Sequence, residues 1–234
     1  MKELIMSKKD VDREKDLKEC FNNAIDPIVS LSVKDKDYYN ALSAEQFINL
    51  KKALSNINNI ITLKTTLAFV DKVVSSYLKD AIVVNKIKEN IKSQSANANG
   101  FDILCEEGEF HFVAEVKCNI PVKEGQFGAA QLGGIYKDII NLSRGKKKNA
   151  NVKVQKLNKF MVFLDYGNID AAIYSLTKTP PEWDSYYIKN LFDKQDKKNQ
   201  DILEGVWKNL IIIDSDKLPS LPDPDKIYIC RVSL

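Results

Sequence analysis

The sequence predicts a mixed α/β fold, in which a central mixed β-sheet is flanked by helices and preceded by a helical N-terminal region. Two observations support this prediction. Through residues 1–98, apolar residues recur at three- and four-residue intervals, the spacing of one face of an amphipathic helix. Beyond residue 98, short runs rich in β-branched and aromatic residues alternate with helical patterns. That alternation is typical of a sheet covered by helices.

The composition is that of a globular protein, with 234 residues, 44% apolar and 29% charged. No apolar run approaches the roughly 18–20 residues that span a bilayer, and the N-terminus lacks the apolar segment of a signal peptide. We therefore expect a cytoplasmic protein with no membrane partner. The net charge of +3 is too small to indicate nucleic acid by itself.

Cysteine and histidine usage restricts the chemistry. The four cysteines are scattered without metal-binding or redox spacing, and His111 is the only histidine. A site built on two histidines is therefore excluded. Any metal must be held mainly by carboxylates, which favours a hard ion such as Mg²⁺.

The N-terminal region, residues 1–98, contains a helix start at Ser43, where Gln46 follows at the spacing of a capping box. Small polar residues at 93–100 then predict a loop. We divide the chain into a helical N-terminal region, residues 1–98, and the core of the fold, residues 99–234. No long Gly/Ser/Pro tract separates the two regions near residue 98, so a subdomain border is the alternative to a linker between domains.

The core region predicts a hairpin, a helix, a strand, a further helical or irregular segment and two last strands. The run GAAQLGGIYKDIINLSR predicts the first helix. The predicted strands are 101–105, 109–118, 159–166, 206–214 and 226–234.

The second hairpin strand combines an apolar face with charged groups. Side chains alternate across a strand, so Phe112, Ala114 and Val116 share one apolar face. Glu115 and Lys117 share the other. A carboxylate and an ammonium on one face of a core strand suggest a functional site.

The register of the hairpin brings in a second acid. A two-residue turn at Glu107-Gly108 puts Asp102 opposite Val113, on the same face as Glu115 and one diagonal step away. A four-residue loop keeps this parity, whereas an odd-length loop reverses it. Two adjacent carboxylates repel unless a cation lies between them. The pattern therefore predicts a divalent metal site beside Lys117.

Asp102, a turn and Glu115-Val116-Lys117 in an apolar strand resemble the PD-(D/E)XK nuclease superfamily, which includes most type II restriction endonucleases. The similar region covers residues 100–144, and Phe101 stands where the motif has proline. The resemblance implies a restriction-endonuclease-like core. It also implies that Asp102 and Glu115 bind Mg²⁺, which Mn²⁺ can replace, with the Val116 carbonyl as a third ligand.

The same resemblance implies that Lys117 orients or activates the attacking water. Glu89 matches the position of an additional catalytic acid in many relatives; a solvated role in the helix is the alternative. For Asp102, Glu115 and Lys117 the alternative is a surface ion cluster.

Six residues are candidates for DNA contact. They are Asn119, Gln131, Arg144, Lys146, Lys147 and Lys148. The basic run at 143–153 suits phosphates, but lysines at a helix C-terminus also stabilise the helix dipole in water. Helix surface is the alternative for Gln131, and strand termination is the alternative for Asn119.

The function expected from this resemblance is Mg²⁺-dependent hydrolysis of double-stranded DNA by a homodimeric type II restriction enzyme. The resemblance then implies that residues 99–234 form the nuclease core and that residues 1–98 serve dimerisation or DNA recognition. A cognate DNA methyltransferase would be its genetic partner. Two alternatives remain: a repair or junction-resolving nuclease of the same fold, and a non-catalytic DNA-binding protein.

Overall fold

A five-stranded mixed sheet with helices on both faces organises the chain, which confirms the predicted mixed α/β class. The computed structural model describes residues 12–16, 42–94, 100–106, 108–122, 125–192, 196–214 and 217–234. The remaining parts of the predicted N-terminal region and of the loop at 93–100 lie outside the described residues.

The described part of residues 1–98 is helical, as predicted. Helix α1 spans Ala44–Phe69 and begins at the predicted capping box, where Gln46 N–H donates to Ser43 Oγ at 3.3 Å. It continues through a π-helical turn at Val70–Val74 and ends with Ser75–Tyr77. Helix α2 spans Ala81–Ser93.

The core of the fold follows the predicted order of elements. Its strands and longer helices are β1 (Ile103–Cys105), β2 (Phe112–Lys117), α3 (Ala129–Arg144), β3 (Asn158–Leu164), α4 (Asp170–Lys178), α5 (Lys198–Lys208), β4 (Leu210–Ile213) and β5 (Ile227–Val232). Short 3₁₀ turns lie at Lys147–Asn149, Val154–Lys156 and Lys189–Leu191.

One predicted strand, 206–214, is wrong in its first third. The residues through Lys208 belong to α5, and only Leu210–Ile213 is strand. Leu203, Val206 and Trp207 are buried together, because three- and four-residue spacing puts them on one face of the helix.

The sheet has the strand order β1-β2-β3-β5-β4. Strand β1 is antiparallel to β2, and the other neighbours pair in parallel. The connection from β2 to β3 contains α3, so this helix lies close to the strand that carries Glu115 and Lys117.

Two apolar cores cover the two faces of the sheet. Phe112, Ala114 and Val116 of β2 pack with α1 and α2. Val113 faces the other core, which contains α3, α4 and α5, and Glu115 and Lys117 share its side of the strand. The described N-terminal helices therefore share a core with the sheet. Their assignment to dimerisation or DNA recognition stays a prediction.

Within the described ranges, no helix combines the length and the apolarity that crossing a membrane requires.

Candidate active site

The register of the β1–β2 hairpin brings two acids directly together. Ile103 pairs with Ala114, and Leu104 pairs with Val113. Continuing this register by one residue puts Asp102 opposite Glu115. The predicted shared face is therefore confirmed. The predicted partner Val113 is wrong by two residues, because residues 106–111 connect the strands in place of a two-residue turn.

Asp102 is fixed against the backbone of β2. Its Oδ2 accepts a hydrogen bond of 2.7 Å from the N–H of Val116, the residue after Glu115. The side chain is half-buried. This contact holds the Asp102 carboxylate at the level of Glu115 on the same side of the sheet.

Glu115 is a buried acid that lies close to two other acids. The residue is 3% exposed. Burial raises the pKa of Glu115, and negative charge on Asp138 and Asp102 raises it further against the opposing effect of Lys146, to about 8. A carboxyl group in this setting gains stability from any cation that comes within contact distance.

Lys146 supplies the cation that faces Glu115. Its Nζ lies 2.5 Å from Glu115 Oε1 and donates to the Gly100 carbonyl at 2.5 Å. The same ammonium lies 4.9 Å from the centre of the Phe101 ring. The contact to Glu115 is an ion pair in which the Lys146 side chain is 19% exposed and the Glu115 side chain 4% exposed.

Lys117 forms an ion pair with Asp138 of α3. Burial alone would lower the pKa of Lys117, but Asp138, Glu115 and Asp102 outweigh burial and raise it. The ammonium is therefore charged at neutral pH. This ion pair joins the end of β2 to α3, and the Asp138 side chain is only 15% exposed.

Asp138 is the site residue that the sequence prediction missed. An indication of it was present in the sequence. Asp138 follows Ile135 by three residues and precedes Leu142 by four, and both apolar residues are fully buried. An acid within the apolar stripe of an amphipathic helix must meet a polar partner in the fold.

The acids Asp102, Glu115 and Asp138, together with Lys117 and Lys146, are called the acidic cluster below. A groove of about 1050 Å³ opens beside the acidic cluster. Both Asp138 and Lys146 line it, so it adjoins both ion pairs. Its wall also contains Lys137, Arg144 and Lys147, which leaves a single acid among five charged side chains. A concave surface with this excess of positive charge attracts polyanions such as nucleic acids.

Gln131 is held in a structural contact at the start of α3. Its Oε1 accepts from Gly128 N–H at 2.9 Å, and its Nε2 donates to the Ile120 carbonyl at 2.8 Å. Gln131 therefore joins the helix start to the loop before it. Its predicted DNA contact stays a prediction.

The other candidates for DNA contact are spread over several positions. The Asn119 carbonyl accepts a hydrogen bond of 2.8 Å from the Tyr166 hydroxyl. The Arg144 guanidinium lies 5.0 Å from the centre of the Phe192 ring, and Lys147 is exposed. The side chain of Lys148 lies outside the described residues.

Glu89 is not drawn into the acidic cluster. Its side chain is 73% exposed, and its carboxylate lies 3.7 Å from Lys92 in the same helix. Helix α2 packs on the face of the sheet opposite to Glu115. The catalytic role predicted for Glu89 therefore gains no support from its position.

The fit of the cluster to a metal ion rests on two carboxylates. Within the described ranges, no three His, Cys, Asp or Glu side chains form a group that could hold a metal ion. Mg²⁺ often takes only one or two protein carboxylates and keeps several waters. Asp102 and Glu115 supply two carboxylates, and the buried Oε1 of Glu115 already contacts one cation, the Lys146 ammonium. The Val116 carbonyl as a further ligand stays a prediction.

Comparison with known proteins gave no match: no protein-family model, no curated protein and no solved structure aligns significantly with this chain. The function is therefore inferred from the residues and the geometry of the site.

Proposed function

We propose that this protein is a Mg²⁺-dependent endonuclease that hydrolyses phosphodiester bonds of double-stranded DNA. The observation that supports this proposal most strongly is the position of Asp102 opposite Glu115, with Lys117 on the same face. Two acids and an ammonium in this arrangement match what metal-assisted phosphodiester hydrolysis needs.

The acids and the lysine have separate tasks. A divalent cation bound by Asp102 and Glu115 would supply Lewis acidity and charge neutralisation at the phosphate. Lys117, charged at neutral pH, orients the attacking water and offsets negative charge that develops on the phosphate. Asp138 holds the Lys117 ammonium through their ion pair, so it acts as a positioning residue.

The groove beside the cluster is the proposed DNA-binding surface. Lys137, Arg144 and Lys147 line it and would contact phosphates, which position the DNA without reading its sequence. Affinity should therefore fall steeply as salt concentration rises.

Two biological roles follow from the same chemistry. Three asparagines line the groove, Asn141, Asn149 and Asn190, and asparagine side chains can read adenine edges in the major groove. This observation favours a sequence-specific type II restriction enzyme, acting as a homodimer with a methyltransferase as genetic partner. The predominance of Lys and Arg among the charged lining residues favours the second candidate, a repair or junction-resolving nuclease that reads DNA shape.

Cleavage of supercoiled plasmid and λ DNA tests the proposal. Purified protein is incubated with each of these DNAs, and with a branched DNA, in Mg²⁺, in Mn²⁺ and in EDTA, and the product ends are mapped. We expect the wild-type protein to cleave DNA in Mg²⁺ but not in EDTA, and we expect no cleavage by Glu115→Gln. Discrete bands would indicate a restriction enzyme, and cleavage limited to branched DNA would indicate a junction-resolving nuclease. Intact linear, plasmid and branched DNA in both Mg²⁺ and Mn²⁺ would contradict the proposal.

A further inference from the structure

Lys146 belongs to the acidic cluster and to the basic groove at the same time. Its ammonium contacts Glu115 and the Gly100 carbonyl at 2.5 Å each, while its side chain lines the groove and is 19% exposed. The Lys146 ammonium therefore lies between the Glu115 carboxylate and the basic groove.

The backbone around Lys146 separates it from the helix before it. Helix α3 ends at Arg144, and Gly145 follows with a φ of 91°, a conformation that glycine adopts without steric cost. Lys146 is therefore the second residue beyond the helix. Its side chain can move from Glu115 to the groove without displacing Asp138, which lies within α3.

The ion pair between Lys146 and Glu115 conflicts with metal binding at Glu115. A buried carboxylate needs a counter-ion, and Lys146 fills that need from the chain itself. A divalent ion at the same carboxylate would lie within a few ångströms of the ammonium, where two positive charges repel strongly. One of the two cations must then withdraw.

We propose that Lys146 is the built-in counter-ion of Glu115, and that a divalent cation entering between Asp102 and Glu115 displaces its ammonium into the groove to bind a substrate phosphate. This inference rests on the proposed function, because it needs the metal site at Asp102 and Glu115. Metal binding then adds a cation to the DNA-binding surface, so metal and DNA bind cooperatively.

A structural and a competing role of Lys146 predict different changes in metal affinity when the lysine is removed. A lysine that only supports the local structure would, when removed, leave metal affinity unchanged or weaken it. A lysine that competes with the metal would, when removed, strengthen metal binding. Lys146→Met removes the charge and keeps an unbranched apolar stem. Lys137→Met is a matched control, because Lys137 also lines the groove but precedes Asp138 within α3.

The test is Mn²⁺ binding without DNA, measured at pH 8.5 by the electron paramagnetic resonance signal of free Mn²⁺. We expect Lys146→Met to bind Mn²⁺ at least tenfold tighter than wild type. Lys146→Arg, which keeps the charge, and Lys137→Met should both stay within about threefold of wild type. In Ca²⁺, Lys146→Met should bind DNA more weakly, with the slope of log affinity against log salt reduced by about one phosphate contact.

The outcomes separate this inference from the proposed function. Mn²⁺ binding by wild type with equal or weaker binding by Lys146→Met overturns the displacement proposal and leaves the nuclease proposal standing. Absence of Mn²⁺ binding by wild type and by Lys146→Met overturns both. Should Lys146→Met fold poorly, Lys146→Gln serves in its place, and the rise in melting temperature on adding Mn²⁺ reports its affinity for the metal.

Discussion

Lys117 and Asp138 form an ion pair that joins the last residue of β2 to the interior of α3. Both side chains are largely buried, so the pair is shielded from the solvent that weakens surface ion pairs. The orientation of the Lys117 ammonium is thereby set by a helix on a different part of the chain.

Asp138→Asn should slow DNA cleavage by roughly 10–100-fold, the range found for residues that hold a functional side chain in position. Loss of the Asp138 charge lowers the pKa of Lys117, since that charge helps to raise it. The check is single-turnover cleavage across pH, together with the rate of Lys117 acetylation measured by mass spectrometry.

Asp170→Asn is the control for Asp138→Asn, because Asp170 also pairs with a cation, Arg231, on an exposed part of the surface. Partial rescue by Asp138→Glu is expected. An unchanged pH dependence of Lys117 acetylation in Asp138→Asn would show that Asp138 does not position the ammonium.

Glu115 should make the metal-free protein less stable as pH rises. The pKa of Glu115 is about 8 when folded, against an ordinary value of 4.5, so the folded state binds more protons between pH 4.5 and 8. Stability therefore falls as pH rises through this window. Glu115→Gln should lose this dependence and exceed wild type in stability at pH 8.

Urea unfolding in EDTA at several pH values between 5 and 8.5 measures the effect of Glu115. Asp214→Asn serves as control, because Asp214 pairs with Arg231 and is half exposed. Parallel pH dependence in wild type and Glu115→Gln would contradict the assigned pKa.

Two neighbouring glycines in α3 should respond oppositely to alanine. A Cβ on Gly133 would lie 2.5 Å from the ring of Tyr187, whereas a Cβ on Gly134 meets nothing within 4 Å. Gly134→Ala should stabilise the protein by about 0.5–1 kcal/mol, because alanine is the better helix former. Gly133→Ala should destabilise it by about 1–3 kcal/mol through overpacking. Thermal unfolding of both variants checks this, and equal effects would show that Tyr187 does not pack on Gly133.

The sequence predicted the face of the sheet but not the register. Glu115, Lys117 and Asp102 share a face because side chains alternate and the loop between the strands has even length. A two-residue shift preserves that parity, so the pattern alone could not distinguish Val113 from Glu115 as the partner of Asp102. Local turn chemistry at Gly108 indicated a loop without fixing its length.

The tertiary partners of the site were less predictable. Asp138 could be found in principle as an acid in an apolar helix stripe, but its pairing with Lys117 depends on how α3 packs on β2. Lys146 was predicted as a candidate for DNA contact, and that stays a prediction, but its contact with Glu115 was not predicted. Its basic neighbours look the same in sequence, and only the fold distinguishes it from them.

The most direct measurement of the central claim compares binding and cleavage for Lys117→Ala in one preparation. DNA affinity is measured in Ca²⁺ and single-turnover cleavage in Mg²⁺. Because Lys117 acts mainly on the transition state, affinity should stay within about tenfold of wild type, equivalent to ~1.4 kcal/mol. Cleavage should fall by about two to three orders of magnitude, as when one preorganised electrostatic group is removed. Cleavage near the wild-type rate would make Lys117 a structural partner of Asp138 and would contradict the proposed nuclease site.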